Sequence, residues 1–316
     1  EIEKKKILFT NSIKNLNRCE LIYISPDIET DNEGNSDLSY VENLIKSVDV
    51  QLDKKIPFII LSQVPPGFTS SLNLKRECYY QVETLIFGQA LDRATNPERI
   101  IVGSKKKKIS EKYRNFLYKF TKNIIVMNLE SAELAKISIN CFLMSSVTTS
   151  NSLAQICEEI GADWQDIIEA LQLDKRIGKF AYLEPGLGIS GGNLERDLAT
   201  VIKLSKIFGT FNDTFKSWKK NSIYRKNWVF NLLNKKILTK FKNPKIAIWG
   251  ITYKENTHSI KNSPSINLLE KIYKFELKIF DPVVNQISIK NQVFKCEKTP
   301  LACIHDADVL CIMNKW

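Results

Sequence analysis

Residues Pro185 to Asp197 read PGLGISGGNLERD. Gly186, Gly188 and Gly191 spell G-x-G-x-x-G, the spacing of a dinucleotide-binding turn. That spacing carries weight only behind a buried strand and about 20 residues ahead of an acid. The residues before it, RIGKFAYLEP, show no apolar alternation, so no strand feeds the turn. After it, Leu194, Leu198, Val201, Ile202 and Leu204 fall near helical spacing, so the loop opens a helix. Asn193 is then the N-cap candidate, and Asp197 lies about one turn in. Taken alone, the stretch reads either as a glycine-rich helix start or as an anion site at a helix N-terminus.

N-terminal to this loop the chain changes character. Leu21 to Ser25, Pro57 to Ser62, Ile100 to Gly103 and Ile124 to Met127 are near-continuous apolar runs, as strands buried on both faces of a parallel sheet require. Helical periodicity over Leu38 to Gln51 and Lys107 to Phe120 lies between them, a βαβ pattern. From Ser131 to about Phe241 the pattern is helical, with a long helix from Ser131 and another capped by Asp163. Strands return at Lys245 with KIAIWG, then LKIFDP and ADVLCIM, around the helix SINLLEKIYK. Three regions are expected, residues 1–130, 131–242 and 243–316, and both α/β regions read as incomplete at the chain ends.

The chain has 316 residues, a net charge of +11 and 43% hydrophobic residues, ordinary for a globular protein of two or three domains. The one dense basic run, Lys105 to Lys108, follows a turn at Gly103-Ser104 and lacks interleaved aromatics, so it reads as a solvated loop and not a nucleic-acid patch. Seven cysteines without a CxxC pair, and two histidines, argue against a zinc site. They read as buried thiols in a reducing compartment, the cytoplasm. No apolar run approaches the roughly 18 residues of a membrane span, and EIEKKKILF is not a signal peptide.

Further stretches give the loop its context. Ser62 to Gly67, SQVPPG, resembles S-T-V-P-x-G with Gln63 at the threonine. Tyr80 to Ala90 resembles N-P-E-F-L-x-E-G-x-A, keeping Glu83 and Gly88 with Phe87 at a second glutamate. Asn96 to Arg99 matches N-P-[DE]-R, and Ala132 to Phe142 is close to A-E-x-x-K-x-x-x-N-x-F with Lys136 and Asn140 intact. Arg176 to Gly178 matches R-I-G. Gly250 to Pro264 resembles G-[LI]-[AST]-[FY]-K-x-x-T-x-D-x-R-x-S-P, with Lys254 kept and Lys261 at the arginine. In this order the motifs resemble those of the UDP-glucose/GDP-mannose dehydrogenases, whose loop P-G-x-G-[FY]-G-G-x-C-[FL]-P-K-D overlays Pro185 to Asp197. Asn193 stands at its cysteine and Arg196 at its lysine. The family's first βαβ, with its glycine fingerprint and ribose-binding acid, has no counterpart in this chain.

The resemblance implies two Rossmann-like α/β domains joined by an all-helical domain that carries a homodimer contact, NAD as cofactor and a nucleotide-sugar as substrate. It implies Lys136, Asn140, Asp197, Glu83 and the position of Asn193 as catalytic. Arg176, Gly188, Gly191 and Lys254 fall on the substrate side, Gln63 and Lys261 on the cofactor side. In the family a cysteine traps the C6 aldehyde and carries it to a thioester; an amide at Asn193 cannot do a thiolate's work. The expected activity is therefore NAD-dependent oxidation of a sugar C6 alcohol with the thioester route doubtful. The alternative is a catalytically silent nucleotide-sugar binding protein.

Overall fold

The computed structural model describes residues 7–31, 33–85 and 88–316. They form two compact units, one of residues up to 31 with 36–139, the other of 33–35 with 140–316.

The first unit is built on five strands: β1 (Ile22–Ile24), β2 (Phe58–Ile60), β3 (Cys78–Gln81), β4 (Ile100–Ser104) and β5 (Ile124–Met127), paired in chain order. All neighbours are parallel except β3 and β4, which run antiparallel. Phe58, Ile59 and Ile60 are each 0% exposed because both sheet faces are covered. Phe58 and Ile60 join one core with Val41, Ile45 and Val48 of α1 (Ser39–Gln51). Ile59 joins the other, with Tyr113 and Leu117 of α4 (Glu111–Leu117). Each such side chain contributes about 1.5–3 kcal/mol by leaving water.

Two expectations change here. β3 is an unforeseen strand; Tyr79 and Tyr80 point to opposite faces and enter opposite cores, so its aromatic pair does the work of an aliphatic run. The helix expected over Lys107 to Phe120 is shorter, because Ser104 Oγ donates to the Lys108 carbonyl at 2.6 Å and closes the lysine run into an exposed turn. The short helices α2 (Phe68–Ser71) and α3 (Ala90–Thr95) complete the connections. The long helix α5 (Leu129–Ile160) begins two residues before Ser131, whose N–H is capped by Asn128 Oδ1 at 2.9 Å.

The second unit continues with α6 (Trp164–Leu173), whose expected cap holds, Asp163 accepting from the Gln165 N–H at 2.8 Å. Helices α7 (Asn193–Ile207), α8 (Asp213–Lys226) and α9 (Trp228–Leu233) follow, the last running into a π-helical turn, Asn234–Leu238. Next come β6 (Lys245–Trp249), α10 (Pro264–Ile272), β7 (Glu276–Phe280), the hairpin β8 (Gln286–Ile289) and β9 (Gln292–Lys295), α11 (Pro300–Ile304) and β10 (Val309–Ile312). The parallel order is β10-β6-β7. Leu233, Val229 and Phe230 of α9 share one core with Ile246, Ile248 and Leu269, so helices and sheet here form a single body. The hairpin was not foreseen. Its turn uses Lys290 and Asn291 at φ 49° and 66° in place of the usual Asn-Gly signal.

Candidate functional site

The element before the glycine loop is α6, no strand among the described residues leads into the loop, and α7 follows it at once. The loop is therefore held by side chains from other helices. Asn151 of α5 accepts from the Gly186 N–H at 2.7 Å, and Arg225 of α8 donates from Nε to the Gly186 carbonyl at 3.1 Å. Ser222 Oγ accepts from the Ile189 N–H at 2.9 Å and donates to its carbonyl at 3.2 Å. Gly188 (φ 92°) and Gly191 (φ 82°) take left-handed backbone. A Cβ would stand 2.6 Å from the Ser222 carbonyl oxygen at Gly188, and 2.8 Å from the Tyr253 ring at Gly191.

This anchoring delivers α7 with its first turn packed inward. Asp197 is 1% exposed and Arg196 and Asn140 are each 6% exposed. Asn140 Nδ2 donates to Asp197 Oδ2 at 2.5 Å, and Arg196 Nε donates to Asp197 Oδ1 at 3.3 Å. The carboxylate is thus held by a charge-assisted donor on each oxygen. The bond that Asn140 gives fixes its amide, whose Oδ1 is the acceptor end. Glu195 receives Lys226 of α8 at 2.6 Å and the side-chain amide of Asn262.

The structure therefore brings Asn140 and Asp197 together as the motif order implied. It adds Arg196, which had served only as the counterpart of a lysine. Lys136 is half-buried one turn before Asn140 on α5. The Gly250 to Pro264 segment meets the loop: Tyr253 covers Gly191, Lys254 Nζ lies 5.9 Å from the Tyr253 ring centroid, and Lys261 Cδ lies 3.8 Å from a Cβ placed on Gly192. Arg176 stands outside this cluster, its side chain 89% exposed and paired with Asp174 at 2.6 Å, which holds that carboxyl below its ordinary value.

Asn193 is corrected in one respect: Gly192 occupies the N-cap position without a side-chain cap, and Asn193 is the first helical residue, exposed to solvent. The cysteines need correction as well. Only Cys157, Cys303 and Cys311 are buried, and Cys19 is exposed; all seven are free thiols. Among the described residues no group of three or more ligating side chains could hold a metal, and no helix is long and apolar enough to cross a membrane.

In the first unit Glu83 accepts from the Leu85 N–H in its own loop, and Phe87 lies outside the described residues. Gln63 is half-buried beyond the carboxyl end of β2. The carboxyl ends of β1 and β2 are the edge at which a parallel sheet takes up a dinucleotide, and Ser62 Oγ ties them by donating to the Pro26 carbonyl at 2.6 Å. These residues fit the flank of NAD. They do not fit its pyrophosphate: the N–H groups of Gly67 and Thr69 are already taken by Glu133 at 2.6 and 2.8 Å. The glycines before α5, at positions 34, 67, 88 and 103, also lie too far apart for a glycine-rich turn. Sequence reasoning missed Glu133, Asn151, Ser222 and Arg225. Of these only Glu133 had a signal, the acid of the A-E-x-x-K stretch.

Three domains of one family match along the chain. Residues 1–121 match the NAD binding domain of the UDP-glucose/GDP-mannose dehydrogenase family, residues 130–221 its central domain and residues 247–316 its UDP binding domain. The UDP-glucose 6-dehydrogenase of Pseudomonas aeruginosa is 24% identical over 342 residues, covering 100% of this chain and 75% of that protein. The UDP-glucose 6-dehydrogenase of Rickettsia conorii is 28% identical over 331 residues, covering 100% and 76%. A UDP-glucose dehydrogenase structure from Pyrobaculum islandicum shares the fold with a TM-score of 0.86 at 22% identity, covering 100% of this chain and 77% of the other. A UDP-D-ManNAc dehydrogenase structure from Pyrococcus horikoshii does so with a TM-score of 0.78 at 21% identity, covering 96% and 73%. The chain belongs to the UDP-glucose/GDP-mannose dehydrogenase family of NAD-dependent oxidoreductases acting on CH–OH donors.

Proposed function

We propose that this protein oxidises the C6 primary alcohol of a nucleotide-sugar of the UDP-glucose type and stops at the aldehyde or its hydrate. The observation that carries the reading is the buried Asn140–Asp197 pair, 2.5 Å apart, at the first turn behind an anchored glycine loop. NAD, when bound, supplies the hydride acceptor, so each alcohol oxidised yields one aldehyde, one NADH and one proton. On the protein side, Asn140 Oδ1 orients the hydroxyl, Asp197 takes or directs the proton, and Lys136 stabilises the developing alkoxide. Lys254, on the segment that meets the loop, suits the diphosphate of the substrate, and Lys261 stays on the cofactor side.

The two-electron limit follows from Asn193. A thioester route needs a thiolate, and Cys141, the thiol beside Asn140, is pushed up to about 11 by burial and by the negative charge of Asp197. It stays protonated at neutral pH and is no substitute. The same loss favours a second reading, binding of the nucleotide-sugar without turnover. Incubation with NAD and a panel of UDP- and GDP-sugars separates the two: NADH formation supports oxidation, and calorimetric binding without NADH supports the silent binder.

The protein acts as a homodimer through its helical region in this reading. Phe142, Leu153, Ile156 and Ile160 support it, being 79, 41, 54 and 71% exposed along α5 at spacings that share one face. Free thiols and a dinucleotide cofactor suit the cytoplasm.

A further inference from the structure

Arg225 on α8 is 5% exposed, yet no carboxylate among the described residues lies within the 4.0 Å of an ion pair. Its Nε is committed to the Gly186 carbonyl, while its Nη1 is buried with no hydrogen-bond partner. Trp228 flanks the group, its ring centroid 5.3 Å from Cζ. Burial lowers the pKa of Arg225, against the opposing charges of Glu158 and Tyr224. A buried cation with no carboxylate in ion-pair contact is costly, and guanidinium does not escape the cost by losing its proton.

A second orphan hangs on the same glycine. Asn151 is 0% exposed; its Oδ1 accepts from the Gly186 N–H, and its Nδ2 is buried without a partner. A Cβ placed on Gly186 would meet nothing within 4 Å, whereas the two orphan donors themselves are closed off from solvent. Both unsatisfied groups are donors, one of them charged. What completes them is an acceptor, and a negative one.

We infer that Arg225 and Asn151 form a subsite for a small oxyanion, phosphate or carboxylate, on the flank of the glycine loop. The same two side chains hold the N–H and the carbonyl of Gly186, so the bound anion fixes the conformation in which the loop is presented. The subsite shares no side chain with the Asn140–Asp197 pair, and reaches it only through the loop that leads into α7.

The test is titration of the full chain with sodium phosphate and, separately, sodium acetate, each against sodium chloride at equal ionic strength, following Tm and the heat of binding. A saturable response to one or both anions is expected, and the stronger arm identifies the acceptor class. Arg225→Gln should weaken it at least tenfold while folding with an equal or higher Tm in chloride, since an uncompensated buried charge is removed. Arg225→Lys keeps the charge but loses the fork, and should retain a weaker response. Repeating the titration under saturating UDP removes any contribution from a nucleotide site. No saturable response in the wild type, or an undiminished one in Arg225→Gln, overturns the inference. Dissociation of a dimer by Arg225→Gln, with no anion response, also overturns it and makes the acceptor a carboxylate of a second copy. UDP binding without an Arg225-dependent anion response overturns the subsite alone and leaves the substrate reading standing.

Discussion

Asn140 and Asp197, separated by 57 positions in sequence, meet at 2.5 Å inside the second unit, the amide donating to the carboxylate. Asp197 is 1% exposed and carries Arg196 on its other oxygen, so its charge is held by protein donors in place of water.

That arrangement makes the two partners unequal in a test. Asp197→Asn should reduce NADH formation by about 100-fold or more, and should lower Tm as well because Arg196 loses its buried counter-ion. Asn140→Ala leaves the carboxylate with one donor fewer, at a cost of about 1–3 kcal/mol. Steady-state NADH assays and urea melts on both variants check this; an Asp197→Asn enzyme as active as wild type would remove Asp197 from the chemistry.

The stoichiometry of the reaction tests Asn193. Wild type should yield about one NADH per sugar, because the second oxidation by the covalent route needs a thiolate. Asn193→Cys alone should not reach two, since Gln63 also departs from the threonine of the motif and thioester cleavage needs positioned water. A ratio near two in the wild type, through direct oxidation of a bound hydrate, would show that the thiol was never limiting.

The glycine loop separates backbone strain from mere smallness. Gly188→Ala demands a left-handed alanine, about 1–2 kcal/mol, and drives a Cβ to 2.6 Å from the Ser222 carbonyl oxygen. At Gly192, φ is −90° and the nearest neighbour to a Cβ is 3.8 Å away, so Gly192→Ala should be close to neutral. Comparative urea denaturation distinguishes them; equal losses would mean that the loop is not held as described.

Two carboxyls give opposite pH signatures. Burial raises Glu133, outweighing the bonds it receives from Thr69 and Gly67. Its folded pKa lies above the unfolded value of 4.5, so its stabilising effect is full below 4.5 and is lost as pH rises through the folded value. Asp49 is also raised by burial, but the bonds and charges of Lys54 and Arg76 lower it overall. Its contribution is present above 3.8 and disappears as pH falls through the folded value. Unfolding free energy should therefore decline with pH just above 4.5 in wild type and not in Glu133→Gln, which the slope of stability against pH measures directly.

The exposed stripe on α5 predicts oligomeric state. Phe142→Glu with Ile156→Glu should yield a monomer from a dimer in sedimentation equilibrium, with little change in Tm of the separated chain, since both side chains face solvent within one protomer. An unchanged sedimentation mass would move the interface elsewhere.

Local chemistry in the chain determined a good deal. Apolar runs such as PFIILS specify strands covered on two faces, because only two-sided burial rewards an unbroken hydrophobic stretch. Asp163 caps its helix with its own carboxylate, and the lack of apolar alternation just before Pro185 argued against a dinucleotide role for the G-x-G-x-x-G of the loop; among the described residues no strand runs into it. The motif order pointed to Asn140 and Asp197 and to Lys254 and Lys261 on the segment that meets the loop. Tertiary structure alone decided the rest. Ser222, Asn151 and Arg225 are unremarkable polar residues on helices, and what matters about them is which backbone groups of a distant loop they satisfy. The placing of the aromatic strand β3 against β4, and the register of the hairpin closed by Lys290–Asn291, depended on neighbours across the sheet. Whether a cation is solvated or buried without an ion-pair contact is a property of what packs around it, and for Arg225 that is decided by the packing of α8 against the glycine loop.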